Sequence, residues 1–235
     1  MQRSERFVWL TIVVVELTFM VLTRIVVARF PSYSIGVELI RTALRLAAVW
    51  LYFRVVPDLI NLKSHNAVVR EPTLLLSFFL FLSVPLLVSD ASLVPPTTRV
   101  VYALTSVAVA LKEEISFRAL IQNLLAKRWG SFTAVLVAST LFLVHHVGVI
   151  PLSWANYGQV AIAGLFLGIV FAYTQNLWLV ICLHAAYDAI WSVTTVFSPP
   201  FQYSIGIAVL TTSSLLALIG GRSAINRERA RKAVL

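Results

Sequence analysis

Two adjacent glutamates lie within a long apolar stretch of this 235-residue chain, and an arginine follows four residues after the second; they are Glu113, Glu114 and Arg118. One charged side chain at the centre of a membrane costs roughly 2.5–3.5 kcal/mol on insertion scales, so such residues usually have a function or partners. Other apolar stretches contain further ionisable side chains, namely His145, His146, His184 and Asp188. Carboxylates and imidazoles inside apolar segments indicate proton chemistry there.

The spacing of these residues predicts which of them share a helix face. Glu114 and Arg118 are four residues apart, as are His184 and Asp188, so each pair lies on one face of a helix. Glu113 is turned by about 100° from Glu114. We expect Arg118 to neutralise Glu114, which leaves Glu113 free to face a cavity.

The same rotation separates the two adjacent histidines. His145 points about 100° away from His146, so we interpret His145 as a neighbour of the site rather than a catalyst.

The composition indicates an integral membrane protein with a single domain over residues 1–235. The chain is 59% hydrophobic and 12% charged, with a mean hydropathy of +0.88, a balance typical of polytopic membrane proteins. Its net charge of +9 lies mostly between and after the apolar segments, which favours anionic lipid over nucleic acid as a partner. The single cysteine, Cys182, excludes internal disulfides and any multi-cysteine metal site.

Eight apolar spans of roughly membrane-crossing length are predicted. They cover about 7–28, 35–56, 73–92, 98–126, 131–150, 157–174, 177–196 and 201–220. The expected fold is an all-α polytopic helix bundle with about eight transmembrane helices. Its motif-bearing core runs over about 98–196, and a basic tail follows at 221–235.

Lysines and arginines in the short loops predict the orientation of the bundle. With eight crossings, one side holds Arg3, Arg6, Arg54, Lys63, Arg70, Lys127, Arg128 and the tail residues Arg222, Arg227, Arg229, Arg231 and Lys232, whereas the other holds Arg29 and Arg99. We therefore expect a multi-pass cell-membrane protein with both termini in the cytoplasm. The basic tail is predicted to bind anionic lipid, and a protein partner is the alternative.

Charged residues in the spans must line a shared interior. Glu113, His146, His184 and Asp188 all fall in the inner two-thirds of the bilayer when helices are counted at about 1.5 Å per residue. Such clusters persist only when buried in protein or lining a wet cavity, so we predict one cavity between helices four, five and seven. The first two spans carry more charges, interpreted as interhelical ion pairs or as lining of the cavity entrance, with Arg41 and Arg45 as possible contacts for an anionic substrate group; they are Glu16, Arg24, Glu38, Arg41 and Arg45.

This set of residue types fits peptide-bond hydrolysis inside the membrane. A glutamate withdrawn from water can act as a general base near neutral pH, and imidazole donors can stabilise an oxyanion. The chain contains no Gly-x-Ser-x-Gly and no His-Glu-x-x-His, so neither a serine hydrolase of that type nor a standard zincin is indicated. Glu113, His146 and His184 are also ligand types of a catalytic zinc site. A metal-dependent protease therefore stays open beside the expectation of no cofactor.

Three motifs coincide in order along the chain. They are Glu-Glu-x-x-x-Arg at 113–118, Phe-x-x-x-His at 142–146 and His-x-x-x-Asp at 184–188. Together they resemble the CPBP family, the CAAX proteases and bacteriocin-processing enzymes also called the Abi family. The resemblance covers about residues 100–195.

The resemblance implies an eight-helix intramembrane endopeptidase and assigns roles to its residues. Glu113 would be the general base for water with help from His146, His184 and Asp188 would orient or stabilise the oxyanion, and Glu114 and Arg118 would shape the site. CAAX-cleaving members carry Asn where this chain has Asp188, and an ionised Asp cannot donate a hydrogen bond. We therefore expect Asp188 to hold the tautomer of His184 and to stabilise its cation, or else to stay protonated. This difference favours bacterial members, with a bacterial plasma membrane as the location.

Two other classes of function remain as alternatives. A proton-coupled transporter would use Glu113 and the histidines as a relay, but the chain shows no internal repeat. A non-catalytic immunity protein would keep the fold without the reaction. The expected partner is a membrane-associated peptide or protein substrate; its identity, its prenylation and the oligomeric state are not predicted.

Overall fold

The computed structural model describes residues 5–30, 34–60, 70–88, 95–147, 153–194 and 200–234, and over these ranges the chain is all-helical. Its α-helices are α1 (Glu5–Arg29), α2 (Ile35–Val55), α3 (Pro72–Val88), α4 (Pro96–Glu114), α5 (Asn123–His146), α6 (Trp154–Thr174), α7 (Leu177–Thr194) and α8 (Pro200–Val234). A short 3₁₀ turn spans Pro57–Leu59, and a π-helical segment spans Ile115–Gln122 between α4 and α5. The predicted all-α class is confirmed.

Helix boundaries follow the predicted spans closely, with two differences. α8 continues to Val234, beyond the predicted end of the last apolar span at 220. Residues 221–234 contain no proline and include four arginines and three alanines, which are good helix formers. The predicted break near 127–130 survives only as a kink at Gly130, whose φ of 78° and ψ of 163° are not helical. Glycine adopts that positive φ without the penalty a Cβ would impose.

The bundle exposes large apolar side chains on its exterior and buries several ionisable side chains beside its apolar core. Large apolar side chains point outward, including Phe79, Leu104 and Phe132, which are 70–71% exposed. Ionisable side chains such as Lys112, Glu114 and Arg118 are buried. This arrangement suits a protein surrounded by lipid.

Three helices are long and apolar enough to cross a membrane within the described residues. They cover Glu5–Arg29, Trp154–Thr174 and Ser204–Arg227, and shorter apolar helices lie at Pro72–Val88 and Leu177–Val193. These helices and the outward apolar surface indicate a membrane protein. Crossing by all the predicted spans stays a prediction, because α2 and α4 each carry four charged residues and α5 is kinked at Gly130.

Helix packing places α4 at the centre of the motif-bearing half. α4 packs against α2 and α7, α5 packs against α6, and α8 packs against α3 and α6. Stacked aromatic rings hold α7 in place, because Phe81 on α3 lies 4.2 Å from the ring centroid of Phe166 and 4.5 Å from that of Tyr187.

One cation of the predicted basic tail, Arg227, forms an ion pair within the described residues. Arg227, assigned to the basic tail, donates a hydrogen bond of 2.8 Å to the buried carboxylate of Glu71 and so holds α8 against the start of α3. The predicted loop cations Arg3 and Lys63, and the predicted span ends at 89–92, 148–150 and 195–196, lie outside the described residues.

Candidate active site

Glu113 occupies the last turn of α4 and points between two histidines. Its Oε2 lies 3.8 Å from Nε2 of His146 and 3.9 Å from Nε2 of His184. This oxygen is buried and has no hydrogen-bond partner among the described residues. Both separations are too long for a direct hydrogen bond. A water oxygen about 2.8 Å from Oε2 and from either nitrogen would subtend roughly 85° between them, so a bridging water fits the geometry.

His146 is the last residue of α5; its Nδ1 contacts a backbone carbonyl and its Nε2 faces Glu113. Its Nδ1 lies 2.8 Å from the backbone carbonyl of Phe142, one turn earlier. A proton on Nδ1 donated to that carbonyl leaves Nε2 as an acceptor in the neutral ring. The Phe142 ring lies 4.5 Å from that of His146 and restricts its orientation.

His184 on α7 lies between three carboxylates. Its Nδ1 is 2.7 Å from Oε1 of Glu114, and its Nε2 is 3.4 Å from Oδ2 of Asp188 and 3.9 Å from Oε2 of Glu113. Glu114 therefore contacts Nδ1 of His184, whereas Asp188, which we expect to hold the tautomer of this imidazole, lies near its Nε2. Asp188 lies at the rim with 32% of its side chain exposed, because it is one turn further along α7.

Glu114 and Arg118 form the ion pair that their spacing predicts. Arg118 Nε donates to Oε2 of Glu114 over 3.1 Å, and both side chains are fully buried. Arg118 also donates over 3.0 Å to the backbone carbonyl of Gly164 on α6, and its guanidinium lies 5.4 Å from the centroid of the Phe142 ring. The pair thus connects α4, α6 and α7 around the cluster.

A π-helical segment begins directly after the two glutamates. Ile115–Gln122 is fully buried and carries Arg118 near its middle. A π-helix turns more widely than an α-helix and is uncommon outside functional sites. The wider helical turn after Glu114 changes the direction in which the following side chains leave the helix axis. Arg118 nevertheless donates hydrogen bonds both to Glu114 and to a backbone carbonyl of α6.

Two glycines four residues apart let α6 approach this segment. A Cβ on Gly164 would lie 2.9 Å from Cδ1 of Phe142, and a Cβ on Gly168 would lie 3.2 Å from Oε1 of Gln122. The exposed backbone accepts hydrogen bonds, since Gln122 donates to the Gly168 carbonyl over 3.0 Å. Close approach through Gly-x-x-x-Gly is common between membrane helices.

A second buried cluster lies beside the first and involves α1. Glu16 accepts hydrogen bonds of 2.7 Å from both Tyr52 and Ser116, and it pairs with Lys112. His145 faces this cluster, with Nδ1 3.5 Å from Glu16 and Nε2 3.5 Å from Lys112. The structure therefore turns His145 away from Glu113, as its rotation from His146 predicts.

The charges of α2 form a third group. Glu38 accepts hydrogen bonds from Arg41 and Arg45 on its own helix and from Thr105 on α4. Thr105 is the interhelical partner of Glu38 in this group, whereas both of its ion pairs lie within α2. The predicted interhelical ion pairing is found instead for Glu16, which pairs with Lys112 on α4. Arg24 instead donates over 2.6 Å to the backbone carbonyl of Val147.

The predicted site residues thus lie together between α4, α5 and α7, and the resemblance omitted two supports. These are Gly164 and Gly168 on α6, and the Lys112–Glu16 pair. The Gly-x-x-x-Gly pattern and three consecutive ionisable residues at 112–114 are visible in the sequence and could have indicated them.

Metal binding can be tested against the donor geometry. Among the described residues, no group of three His, Cys, Asp or Glu side chains is arranged to hold a metal ion. Two ligands of a tetrahedral zinc lie about 3.4 Å apart, whereas Glu113 Oε2 is 3.8 and 3.9 Å from the two imidazole nitrogens. A zinc ion would require these side chains to move closer together.

Comparison with known families matches the part of the chain that carries this cluster. Residues 95–190 match the family described as Rce1-like, type II CAAX prenyl endopeptidase Rce1-like. The matched segment contains all three motifs. No match to a curated protein is found. Because that family consists of endopeptidases, the match supports a protease, and it confirms over residues 95–190 the resemblance of this chain to the CPBP family of CAAX proteases.

Proposed function

We propose that this protein is an intramembrane endopeptidase that hydrolyses a peptide bond of a membrane-associated protein or peptide with water activated by Glu113. One observation carries the proposal: Glu113 Oε2 is buried, has no hydrogen-bond partner among the described residues, and lies between two imidazole Nε2 atoms at 3.8 and 3.9 Å. A carboxylate oxygen left free at this depth is costly unless substrate or water uses it.

In the proposed reaction, Glu113 takes a proton from a water molecule that attacks the scissile carbonyl carbon. Nε2 of His146 accepts the second hydrogen bond of that water, because its Nδ1 is engaged with the Phe142 carbonyl. The carbonyl π electrons move onto oxygen, which gives a tetrahedral intermediate. Glu113 then returns the proton to the leaving nitrogen as the carbon–nitrogen bond breaks.

His184 is proposed as the donor to the oxyanion. Its Nδ1 is held by Glu114 and its Nε2 lies near Asp188, so surrounding carboxylates stabilise the imidazolium. The cation presents an Nε2–H toward the same space as Glu113, where negative charge develops on the carbonyl oxygen. Arg118 balances Glu114 and keeps that carboxylate from repelling the oxyanion.

Two observations bear on the substrate: the family description and the residue at position 188. The family description names a CAAX prenyl endopeptidase, and CAAX motifs end a chain on a prenylated cysteine and three further residues. Asp188 in place of Asn favours other membrane-anchored substrates, such as bacterial leader peptides. We further propose eight crossings with both termini in the cytoplasm, no cofactor, and anionic lipid bound at the basic end of α8.

Comparative peptide profiling of membranes tests the proposal and identifies the substrate together. Membranes with the wild-type protein should contain cleaved peptides that are absent with Glu113→Gln at equal expression. Glu5→Gln is the matched control, because it makes the same chemical change at an exposed position and should leave the profile unchanged. Identical profiles for wild type and Glu113→Gln would contradict the general-base assignment.

A further inference from the structure

A carboxylate stands at the centre of the buried face of α1. The buried residues of this helix form one narrow stripe, which consists of Val8, Ile12, Glu16, Phe19 and Thr23. A charge inside an apolar helix is costly unless it has partners. The described residues give Glu16 partners from four elements, namely Tyr52 on α2, Lys112 on α4, Ser116 in the π-helical segment and His145 on α5. The proposed reaction assigns no role to this carboxylate or to its partners.

Lys112 depends on Glu16 for its charge balance. The Lys112 side chain is fully buried, and its ammonium forms an ion pair with Glu16. Its other close neighbours are not anions, since the ammonium lies 3.5 Å from Nε2 of His145 and 4.3 Å from the centroid of the Phe19 ring. Removing the charge of Glu16 would therefore leave a buried ammonium without a counter-ion, which is strongly unfavourable.

The carboxylate nearest in sequence to that ammonium is Glu113. It directly follows Lys112, and the two groups interact electrostatically. A continuous series of rings joins them, because the His145 ring lies 5.7 Å from the His146 ring, and Nε2 of His146 lies 3.8 Å from Oε2 of Glu113. This Oε2 has no hydrogen-bond partner within the described ranges. A lysine side chain is flexible enough to turn toward it.

An ammonium bound to Glu113 would oppose the proposed reaction, because the carboxylate must release that cation before it takes a proton from water. We propose that Glu16 is a positioning residue of the candidate active site: it holds the Lys112 ammonium on the α1 side of α4 and leaves Oε2 of Glu113 free for water. This inference rests on the proposed function and adds a control of the general base by α1. Glu16 itself contacts neither water nor substrate in the reaction.

A double-mutant cycle on stability tests whether the ammonium turns to Glu113. Thermal unfolding in detergent is compared for the wild type, Glu16→Gln, Glu113→Gln and the double variant. When position 113 is glutamine, Glu16→Gln should lower Tm by about 6–20 °C, because Lys112 then has no carboxylate. With Glu113 present the loss should be smaller by about 2–10 °C, because Glu113 becomes the counter-ion. Equal losses in the two backgrounds, or a larger loss with Glu113 present, would overturn the proposal.

Turnover of the folded protein is the second test, with a peptide identified by the membrane profiling as substrate. Glu16→Gln should lower kcat by about 10- to 150-fold, as expected for breaking a hydrogen bond between charged groups, and should leave KM unchanged. Adding Lys112→Met should restore most of kcat, because the competing ammonium is gone. An unchanged kcat in Glu16→Gln, or a loss that Lys112→Met does not recover, would contradict the assignment.

Two further variants separate the charge of Glu16 from the general placement of α1. Glu16→Asp keeps the carboxylate and should retain more of kcat than Glu16→Gln does. Glu5→Gln is the matched control, because it breaks an exposed ion pair of the same helix with Arg128, and it should leave kcat unchanged. Equal losses for Glu5→Gln and Glu16→Gln would assign the effect to the placement of α1 and overturn the role of Glu16.

Failure of the proposed function has a different signature. If the wild type and Glu113→Gln give the same peptide profile, the endopeptidase proposal with Glu113 as base is contradicted. The stability cycle needs no substrate and still decides whether Glu16 keeps the Lys112 ammonium away from Glu113.

Discussion

Replacing the two adjacent glutamates by glutamine, one at a time, should separate stability from catalysis. Glu114 is fully buried and bonded to His184 at 2.7 Å and to Arg118 at 3.1 Å. Glutamine keeps the shape and removes the charge, so the Arg118 guanidinium stays buried without its counter-ion. Its Nη1 already has no hydrogen-bond partner among the described residues. Removing one member of a buried ion pair costs about 3–5 kcal/mol.

Glu113 should behave in the opposite way. Its Oε2 has no hydrogen bond to lose within the described part of the chain, so Glu113→Gln should change the free energy of unfolding by less than about 1 kcal/mol. The amide cannot accept a proton from water, and loss of a general base lowers kcat by about 10²–10⁴-fold.

Thermal unfolding in detergent and turnover of the folded protein measure the two effects. For a chain of this size, 1 kcal/mol corresponds to about 2–4 °C in Tm. Glu114→Gln should therefore lower Tm by about 6–20 °C and Glu113→Gln by less than about 4 °C. The double variant Glu114→Gln with Arg118→Met should recover part of the loss, because no charge is left unpaired. Equal Tm values for the two single variants, or an active Glu113→Gln, would refute the reasoning.

Three further outcomes are expected. Asp188→Ala should lower kcat/KM by about 10–100-fold through loss of a contact with the His184 imidazolium, and Asp188→Asn should lose less; equal losses would assign the effect to charge alone. In the same unfolding assay, Gly164→Ala should lower the free energy of unfolding by about 1–3 kcal/mol, because its Cβ would lie 2.9 Å from Phe142. Gly158→Ala on the same helix is the control and should be neutral, because its Cβ would meet only a flexible side chain at 3.3 Å. Treatment with metal chelators should leave the activity unchanged, and elemental analysis should find less than one zinc per chain. Loss of activity that is restored by zinc would instead support the metal alternative.

Much of the fold was predictable because the interior of a membrane protein penalises exposed backbone and charge. Apolar runs of about 20 residues can only be helices there, so the predicted spans coincide over most of their length with the α-helices of the described residues. Spacing by four residues also predicted the Glu114–Arg118 pair, since the two positions lie on one face of a helix. Both predictions need only the geometry of one helix and no knowledge of its neighbours.

Contacts between distant segments were less accessible from the sequence. Glu114 and Asp188 are both carboxylates that reach His184, and only the relative height of α4 and α7 places Glu114 at Nδ1 at 2.7 Å. The π-helical segment Ile115–Gln122 likewise contains no proline or glycine that would predict a departure from α-helical geometry. Arg118 and Gln122 in this segment donate hydrogen bonds to backbone carbonyls of α6, and spacing within one helix does not predict such contacts.

The three consecutive ionisable residues at the end of α4 explain why this helix occupies the middle of the bundle. Successive side chains on a helix diverge by about 100°. Lys112 therefore reaches Glu16 on α1, Glu113 points between the histidines of α5 and α7, and Glu114 reaches His184 and Arg118. At the lipid surface at least one of the three would face hydrocarbon, at a cost of several kcal/mol. Only a helix with partners on several sides can hold all three, and the middle one, Glu113, keeps an Oε2 without a hydrogen-bond partner among the described residues.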